Sequence, residues 1–271
     1  MHVLKIGGGA GVDHTAVLDN LARRMQQGER WIVVHGASDA ANRLGDEVGY
    51  PARMLTTPGG HVSRYTDART LEIFRMAAAS VNQTLTAALR AHSVEAVGLA
   101  SPSVIFAQRK TAIRALVDGR PIIVRDDYSG SITGVNDGLL QTLLVAGMTP
   151  VVAPLALSAE TDMLNVDGDL AAAHIARALS AETCIILSNV PGLLRDVNDP
   201  ASLITRFSVQ EIAHYEHYAA GRMKKKLLAA QQANTAQVIL ADSRIEQPLD
   251  AALAGSGTHI IRDASLEVAY A

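Results

Sequence analysis

Short apolar, β-branched segments alternate along the chain with longer segments of helical period, and this alternation constrains the fold more than any other feature. The predicted strands are Val3–Ile6, Trp31–His35, Ala96–Leu99, Ile122–Val124, Thr149–Val152, Cys184–Leu187 and Gln237–Ala241. Predicted helices between them include His14–Gln27, Thr70–His92, Asn136–Ala146, Gly168–Leu179 and Arg222–Ala233. Strands that read as unbroken apolar runs are covered on both faces. The pattern therefore predicts an α/β protein, a three-layer αβα sandwich around a mainly parallel central sheet.

The segment from Ser101 to Gly134 departs from this pattern. Basic residues surround short β-like pieces, and the turn signals Asp118-Gly119 and Ser129-Gly130 predict hairpins. We therefore expect an inserted antiparallel flap in this segment. The best boundary between two halves falls at Leu179-Ser180, which divides the chain into residues 1–179 and 180–271.

The cysteine count and the length of the apolar runs exclude several classes of protein. Cys184 is the single cysteine, so the chain forms no internal disulfide and no zinc cluster of cysteines. The longest mainly apolar runs, such as Val151 to Leu157, are far shorter than the roughly 20 residues of a membrane helix. Residues 1–10 carry no targeting signal. We expect a cytoplasmic protein that does not bind membranes.

The charge is unevenly distributed along the chain. The formal net charge is −3, which provides no general reason to bind nucleic acid. Between Tyr50 and Arg125, however, ten Lys or Arg residues stand against four Asp or Glu residues. This basic excess would suit an acidic partner, although an ordinary solvated surface is the alternative explanation.

Two turns that follow predicted strands are rich in glycine. The first is Lys5-Ile6-Gly7-Gly8-Gly9, and the second is His35-Gly36-Ala37-Ser38. Ligands of open parallel sheets bind at the carboxyl ends of strands, and glycine lets backbone amides approach a phosphate closely. Each turn alone would be an ordinary tight connection, and neither matches the dinucleotide fingerprint or the Walker A pattern. Together they would form a concave anion site with Lys5 beside it.

Three further segments add charged groups to this picture. Asn165-Val166-Asp167-Gly168-Asp169 opens a predicted helix with two carboxylates, which would either cap the helix or orient Lys5. The run from Gly221 to Lys226 places four cations at a helix start, where anions are normally preferred. That run is either a solvated basic face or a site for a bound anion. Arg64 is suited to a bidentate grip on a carboxylate.

In this order along the chain, the motifs resemble the amino acid kinase superfamily, close to its N-acetylglutamate kinases. The matching segments are Lys5-x-Gly7-Gly8, His35-Gly36, Arg64-Tyr65-Thr66-Asp67, Asn165 to Asp169, Leu187-Ser188-Asn189-Val190-Pro191-Gly192-Leu193, and the helix start with Met223 and Lys226. The segments Thr57 to Arg64, Arg125 to Gly130 and Gly221 to Lys226 are most similar to the [LysW]-aminoadipate/[LysW]-glutamate kinases. Those enzymes phosphorylate a substrate attached to an acidic amino-group carrier protein.

The resemblance implies a carbamate kinase-like fold, with ATP and Mg2+ as cofactors and an acyl phosphate as product. Catalytic roles would fall to Lys5 and Lys226 at the transferring phosphoryl group, with Asp169 orienting both lysines. The implied phosphate site consists of the amides of Gly7, Gly8 and Gly36, and the implied acceptor site of Arg64, Asn165, Gly36 and Ala37. The implied nucleotide site in residues 180–271 consists of Ser188, Asn189, Val190, Gly192, Leu193, Gly221 and Met223. Residues 1–179 would bind the acceptor and form the dimer contact, and we expect no metal site built by protein side chains.

The sequence also departs from the pattern of these kinases. Ala37 stands where a second glycine is usual, and its methyl group would crowd a phosphate or forbid a positive φ. Gly9 stands where a serine is common. The segment Ser101 to Phe106 lacks the expected glycine-rich character. Because Lys5, Asp169 and Lys226 are all present, we expect an active kinase with an altered acceptor preference.

Three functional hypotheses follow from these residues. The first is a kinase for carrier-bound α-aminoadipate or glutamate in lysine or arginine biosynthesis. The second is an N-acetylglutamate kinase that acts on the free substrate, and the third is a nucleotide-binding regulatory protein without turnover.

The resemblance also implies a homodimer, and the short segment before Lys5 leaves no room for the extra N-terminal helix of hexameric relatives. The predicted helix Thr70–His92 is a candidate interface or an ordinary core helix. Its apolar positions at helical spacing are Leu71, Phe74, Ala78, Val81, Leu85 and Leu89.

Overall fold

A computed structural model describes residues 1–12, 14–100, 102–117 and 120–262 of the chain. The described residues form the strands β1 His2–Ile6, β2 Trp31–His35, β3 Met54–Thr56, β4 Val62–Arg64, β5 Ala96–Leu99, β6 Ile105–Arg109, β7 Ile113–Val117, β8 Arg120–Val124, β9 Gly130–Val135, β10 Thr149–Val152, β11 Leu155–Leu157, β12 Met163–Asn165, β13 Thr183–Ser188, β14 Arg206–Ser208, β15 Gln237–Asp242 and β16 Thr258–Ile261. The α-helices are α1 His14–Gln26, α2 Ser38–Glu47, α3 Ala68–Ala91, α4 Asp137–Val145, α5 Gly168–Ala178, α6 Ile212–Tyr215, α7 Arg222–Ala233 and α8 Pro248–Leu253. Short 3-10 turns cover Pro200–Ser202, Val209–Glu211 and Glu216–Tyr218.

The centre of the molecule is an eight-stranded sheet with the order β14-β16-β15-β13-β1-β2-β10-β5. Neighbouring strands pair in parallel except β15 and β16, which are antiparallel, so β14 and β16 run opposite to the other six strands. Side chains alternate across the sheet, so Val3 belongs to one buried layer with α5 and α7, and Leu4 to the other with α1, α3 and α8. The predicted three-layer α/β architecture with a mainly parallel sheet is confirmed.

Most of the predicted central elements recur with small shifts at their ends. The five predicted helices and all seven predicted strands differ from the structure by at most two residues at either end. Several of the shifted helix ends are caps, as at Asn136, whose side chain accepts a hydrogen bond from the Leu139 N–H before α4 begins. The pair of β14 with β16 extends the sheet at one edge, and the periodicity did not predict these two strands.

The seventh predicted strand, Ile122–Val124, does not belong to the central sheet. It lies in β8, which pairs antiparallel with β7 in a separate small sheet of order β4-β3-β7-β8. Ile122 and Ile123 are 41% and 55% exposed, so a β-branched run here marks a strand of a surface sheet rather than a buried one. The hairpin predicted at Asp118-Gly119 is consistent with the β7–β8 pair, although the two turn residues lie outside the described chain.

The hairpin predicted at Ser129-Gly130 is wrong. Gly130 is the first residue of β9, which pairs antiparallel with β6 in a third sheet of order β12-β11-β6-β9. A Cβ at Gly130 would lie 2.8 Å from the Ala107 Cβ and 3.1 Å from the Leu164 Cδ1, so this glycine permits close packing instead of a turn. The expected single flap is therefore divided between two small sheets.

Helix α3 uses most of its predicted interface positions in the core of its own chain. Leu71, Phe74, Ala78, Leu85 and Leu89 are all buried, and Val81 is half-buried. The exposed large apolar side chain of α3 is instead Met76. Among the described residues, no helix is both long enough and apolar enough to cross a membrane.

Candidate active site

Three neighbouring strands of the central sheet end at the same level. Ile6 of β1 is in register with His35 of β2 and with Leu187 of β13. The Gly7 N–H donates to the Leu187 carbonyl at 3.0 Å, and the Gly36 N–H donates to the Ile6 carbonyl at 2.9 Å. The turns that follow these strands therefore lie side by side at the carboxyl edge of the sheet, where open α/β sheets bind ligands.

The two glycine-rich turns are in direct backbone contact. A Cβ at Gly8 would lie 2.2 Å from the Gly36 carbonyl carbon, and a Cβ at Gly36 would lie 2.5 Å from the Gly8 nitrogen. The Asp39 N–H donates to the Gly8 carbonyl at 2.7 Å and fixes the contact. A cleft of about 230 Å³ opens beside it, and its lining includes Gly8, Gly9, Gly36 and Ala37. The two turns thus form one wall of a cleft with their backbone, and binding of an anion there stays a prediction.

The His35 side chain contacts the second glycine-rich turn and helix α3. Its Nε2 lies 3.0 Å from the Asn82 amide nitrogen and its Nδ1 lies 3.2 Å from the Gly36 carbonyl oxygen. Burial lowers the pKa of His35 to about 4, so the ring is neutral at pH 7. Asn82 comes from the middle of α3 and also donates to the Val151 carbonyl at 2.8 Å. No sequence motif marks Asn82, and its role depends on the packing of α3 against the sheet.

Asp169 joins the two lysines that the sequence places far apart. The Lys5 Nζ lies 2.7 Å from Oδ1 of Asp169, and the Lys226 Nζ donates to Oδ2 at 2.9 Å. All three residues are buried, with exposures of 7%, 6% and 6% for Lys5, Asp169 and Lys226. Lys5 is on β1, Asp169 in the first turn of α5 and Lys226 in the first turns of α7. The structure thus brings together the three residues for which catalytic roles were implied.

The charges of this trio determine its protonation. Burial alone would raise the pKa of Asp169, but the positive charges of Lys226 and Lys5 outweigh it and hold that pKa below its usual range. Burial lowers the pKa of Lys226, and the Asp169 carboxylate partly offsets this effect. The carboxylate therefore stays ionised and holds one cation on each of its oxygens.

The start of α5 resolves the two alternatives for its carboxylates. Asp167 is the cap, because its Oδ1 accepts from the Asp169 and Leu170 N–H groups at 2.9 and 3.2 Å. Its Oδ2 also lies 3.1 Å from the Lys225 Nζ. Helix capping and lysine orientation are thus both present, each on a different carboxylate.

The predicted acceptor residues Arg64 and Asn165 are anchored by neighbours that sequence reasoning missed. Arg64 donates to the Ser38 carbonyl at 3.1 Å and to the Asn42 side-chain oxygen at 2.5 Å. Asn165 donates to the Thr66 hydroxyl at 3.1 Å. The Thr66 N–H in turn donates to the buried carboxylate of Asp127 at 2.8 Å. An acidic pair at Asp126-Asp127 inside a basic segment was the available signal for this support.

Ala37, which stands where related kinases usually have a glycine, does not have a positive φ. Its φ is −139°, which any residue can adopt. Its side chain belongs to a buried cluster with Ala41, Phe74 and Ala78. The turn requires no positive φ at residue 37, so the alanine causes no backbone strain there, and crowding of a phosphate by its methyl group stays a prediction.

The segment Ser101 to Phe106, which leads into β6, uses two of its three apolar residues for packing, while Phe106 is exposed. Val104 and Ile105 are 1% and 0% exposed and belong to the main core cluster. Ser101 lies outside the described chain. The missing glycines of this segment are thus replaced by core side chains.

Some of the residues predicted to bind the nucleotide have accessible side chains, and others are packed against neighbouring strands. Asn189 is exposed and donates to the Ala10 carbonyl at 3.2 Å, while Val190 and Met223 are half-buried. Ser188 ends β13, and its carbonyl accepts from the Ser243 N–H at 2.8 Å. Gly192 has a φ of +154°, and a Cβ there would lie 2.5 Å from the Thr258 hydroxyl.

Two further predicted positions differ in accessibility. Leu193 is 1% exposed, so its side chain packs in the core. Gly221, with a φ of +53°, leads into α7, and a Cβ there would have no atom within 4 Å. Asn189, Val190 and Met223 therefore have side chains that a ligand can reach, and Leu193 does not.

The lysines of α7 reach from residues 180–271 to residues 1–179. Lys224 donates to the Gly59 carbonyl at 3.0 Å, Lys225 pairs with Asp167, and Lys226 pairs with Asp169. Sequence reasoning recognised this run of cations but assigned a role only to Lys226. These contacts make α7 an element that joins the predicted nucleotide half of the chain to residues 1–179.

No group of three or more His, Cys, Asp or Glu residues that could hold a metal ion occurs in the part of the chain that the structure describes. Mg2+ is typically bound through one or two carboxylates together with substrate phosphates and water. A magnesium ion bound in this way would enter together with a nucleotide.

The sequence of this chain matches a family model and curated relatives. A model described as the amino acid kinase family matches residues 1–241. The [LysW]-aminoadipate kinase of Deinococcus radiodurans is 43% identical over 264 residues, covering 95% of this chain and 90% of that protein. The protein of the same name from Thermus thermophilus is 41% identical, covering 95% of this chain and 99% of that one.

A solved structure shows the same fold. N-acetylglutamate synthase from Neisseria gonorrhoeae superimposes with a TM-score of 0.79 at 25% identity. The alignment covers 97% of this chain but 59% of that protein, so the chain spans less than two thirds of the synthase.

Proposed function

Because this chain belongs to the amino acid kinase family, we propose that it transfers the γ-phosphoryl group of ATP to a side-chain carboxylate of an amino acid attached to an acidic carrier protein. The acceptor would be α-aminoadipate or glutamate, held through its amino group on a LysW-like carrier. The two relatives named [LysW]-aminoadipate kinase support this acceptor over free N-acetylglutamate.

The observation that carries the proposal is the buried Lys5–Asp169–Lys226 trio beside the Gly8–Gly36 contact. Transfer of a phosphoryl group depends mainly on alignment and on stabilisation of developing charge. Two ammonium groups held by one ionised carboxylate are preorganised for that purpose. The neighbouring turns supply backbone positions close enough to hold the γ-phosphate.

The reaction needs no general base on the protein. A carboxylate oxygen of the acceptor attacks the γ-phosphorus while the bond to the β,γ-bridging oxygen breaks, which forms an acyl phosphate and releases ADP. The acceptor is ionised before it binds, so no proton has to be removed. Lys5 and Lys226 offset negative charge on the transferring group, and Asp169 holds the two lysines in place.

We place the acceptor in residues 1–179 and the nucleotide in residues 180–271. Arg64 and Asn165 would bind the acceptor, while Asn189, Val190 and Met223 would contact ATP. Mg2+ would enter with the nucleotide and neutralise charge on its phosphate oxygens. We also propose that the protein is a homodimer, for which a single dimeric mass in light scattering is the expected result.

The acidic carrier would dock on the small sheet of β3, β4, β7 and β8. Arg114, Arg120 and Arg125 are exposed on β7, on β8 and directly after β8, and Arg64 ends β4 of the same sheet. Attraction between this basic face and an acidic partner would guide the linked substrate toward the acceptor pocket. A small free acceptor would need no such face.

The test is to trap the acyl phosphate with hydroxylamine in the presence of Mg-ATP. Carrier-linked aminoadipate, carrier-linked glutamate and free N-acetylglutamate are offered in parallel, with Lys5→Ala as the inactive control. We expect a hydroxamate only from the carrier-linked acceptors. Product from N-acetylglutamate alone would assign the protein to the free substrate instead. ATP binding with equal traces for Lys5→Ala and the parent chain would indicate a regulatory protein.

A further inference from the structure

Arg222 is the one member of the cation run at the start of α7 whose side chain is not engaged. Lys224, Lys225 and Lys226 each have a protein partner across the site. Arg222 forms neither an ion pair nor a side-chain hydrogen bond with any residue that the structure describes. It is also exposed, so its guanidinium is accessible to a ligand.

The Arg222 guanidinium lies against the first glycine turn. A Cβ at Gly9 would stand 3.1 Å from the Arg222 Nη1, and no other described atom outside the neighbouring residues lies within 4 Å of that position. Gly9 directly follows Gly8, which contacts Gly36 in the proposed phosphate site. The Arg222 side chain thus extends from the start of α7 over the glycine turn that follows β1.

A second guanidinium faces the same region. Burial and the positive charge of Arg222 both lower the pKa of Arg64. Arg64 is held by Ser38 and Asn42 at the other side of the site. Two like charges that influence each other, without an acidic side chain paired to either one among the described residues, are stabilised when an anion binds between or beside them.

We propose that Arg222 binds the terminal phosphates of ATP across the glycine turn, and that residue 9 is a glycine because a side chain there would displace this guanidinium. The inference rests on the proposed function, since it assumes ATP as the ligand. Guanidinium forms two parallel hydrogen bonds to phosphate oxygens, which makes arginine suited to this contact. The position beside Gly9 favours the phosphates over the acceptor carboxylate, for which Arg64 is already placed. This assignment also gives one explanation for both the departure at Gly9 and the arginine at residue 222.

The experiment measures binding of ATP, ADP and AMP by calorimetry in Mg2+ buffer, which requires no acceptor and no turnover. For Arg222→Gln we expect binding of ATP to weaken about 10-fold to 30-fold, as for loss of a hydrogen bond to a charged group, with AMP unchanged. Arg222→Lys should recover part of the loss. Arg177→Gln is the matched control, because Arg177 is exposed near the far end of α5 and its loss changes the net charge equally.

Gly9→Val tests the contact from the other side. We expect it to weaken ATP binding in the parent chain and to have little further effect when combined with Arg222→Gln, because the guanidinium it displaces is already gone. Equal weakening of ATP and AMP, unchanged ATP binding with a raised KM for the acceptor, or additive effects of the two substitutions would each overturn the inference. Failure of the parent chain to bind ATP at all would instead refute the proposed function.

Discussion

Asp169 is the residue on which the candidate site depends most. Its carboxylate is the negative charge between two buried cations, Lys5 and Lys226, and it lies 2.7 and 2.9 Å from their amines. Removing one partner from a buried ion pair leaves the other charge uncompensated, which costs far more than losing a surface pair. The same group therefore supports both the folded structure and the proposed chemistry.

Asp169→Asn is expected to lower the free energy of unfolding by about 3 kcal/mol and to abolish phosphoryl transfer. The amide keeps the shape of the side chain but leaves Lys5 and Lys226 without a counter-charge. Urea denaturation gives the stability, and hydroxamate formation gives the activity. Arg177→Gln should change neither quantity, and a stable Asp169→Asn variant with parental activity would contradict the assigned role.

His35 contributes a pH-dependent stability. Its pKa is about 4 in the folded chain and 6.5 as an ordinary histidine, so the unfolded chain binds more protons between these values. The stabilisation is complete above pH 6.5 and is lost as the pH falls toward 4. Between pH 7 and pH 5 we expect a loss of about 2 kcal/mol from this group.

The measurement compares denaturation curves of the parent chain and His35→Gln at pH 7 and pH 5. His2, His174 and His259, whose pKa values are also lowered mainly by burial, remain in both chains and cancel in the comparison. The variant should be less stable at pH 7 but lose about 2 kcal/mol less on acidification. Equal losses in both chains would show that His35 titrates normally.

At the scale of elements, the site is produced by the ends of strands and the starts of helices. β1 and β2 end in register, and their turns then contact each other through Gly8 and Gly36. α5 contributes Asp169 within its first turn, and α7 contributes Lys226. Each functional group is thus close to an element end whose position the sheet determines.

The contact between the two glycine turns allows a test. Gly8→Ala should destabilise the chain by at least about 3 kcal/mol and remove ATP binding, because the added Cβ would lie 2.2 Å from backbone that cannot move like a side chain. Gly138→Ala is the matched control, since the nearest atom to its Cβ is 3.9 Å away and the residue lies in α4. That control should be neutral or up to about 1 kcal/mol more stable. A Gly8→Ala chain that melts like the parent would contradict the described contact.

At the scale of the whole molecule, α7 links the two halves of the chain. Its three lysines reach Gly59, Asp167 and Asp169, all in residues 1–179. The small sheet of β4, β3, β7 and β8 carries Arg64 and the exposed basic residues, and it lies within residues 1–179. The contacts of α7 therefore tie residues 180–271 to Gly59, Asp167 and Asp169, which lie in the half of the chain that carries Arg64.

The basic face leads to a prediction about ionic strength. Arg114→Gln combined with Arg120→Gln should weaken binding of the substrate-loaded acidic carrier about 5-fold in low salt, and the difference should vanish near 0.5 M salt because screening removes the attraction. Surface plasmon resonance at several salt concentrations gives the affinities. Arg177→Gln with Arg195→Gln changes the net charge equally outside the basic segment and should have little effect. Salt-insensitive binding would refute electrostatic docking.

Most of the central fold was predictable because long periodic segments determine their own element type. The five predicted helices lie within two residues of the structure at either end, and the strands of the sheet centre were identified by unbroken apolar runs. A β-branched run has the same appearance in a buried strand and on a surface hairpin, so periodicity alone did not separate Ile122–Val124, which lies in the predicted antiparallel segment, from the strands of the central sheet. Gly130 was read as a turn although it serves close packing against Ala107 and Leu164.

The sequence by itself determined the class of fold and the residue types of the site, because periodicity is a local property and Lys5, Gly8, Gly36, Asp169 and Lys226 stand in recognisable motifs. Only the tertiary structure decided which charges meet. The support of His35 by Asn82, the reach of Lys224 and Lys225 across the site, and the position of Arg222 over Gly9 all join residues that are distant in the chain. Such contacts depend on how helices pack on the sheet, and a linear pattern contains no information on those distances.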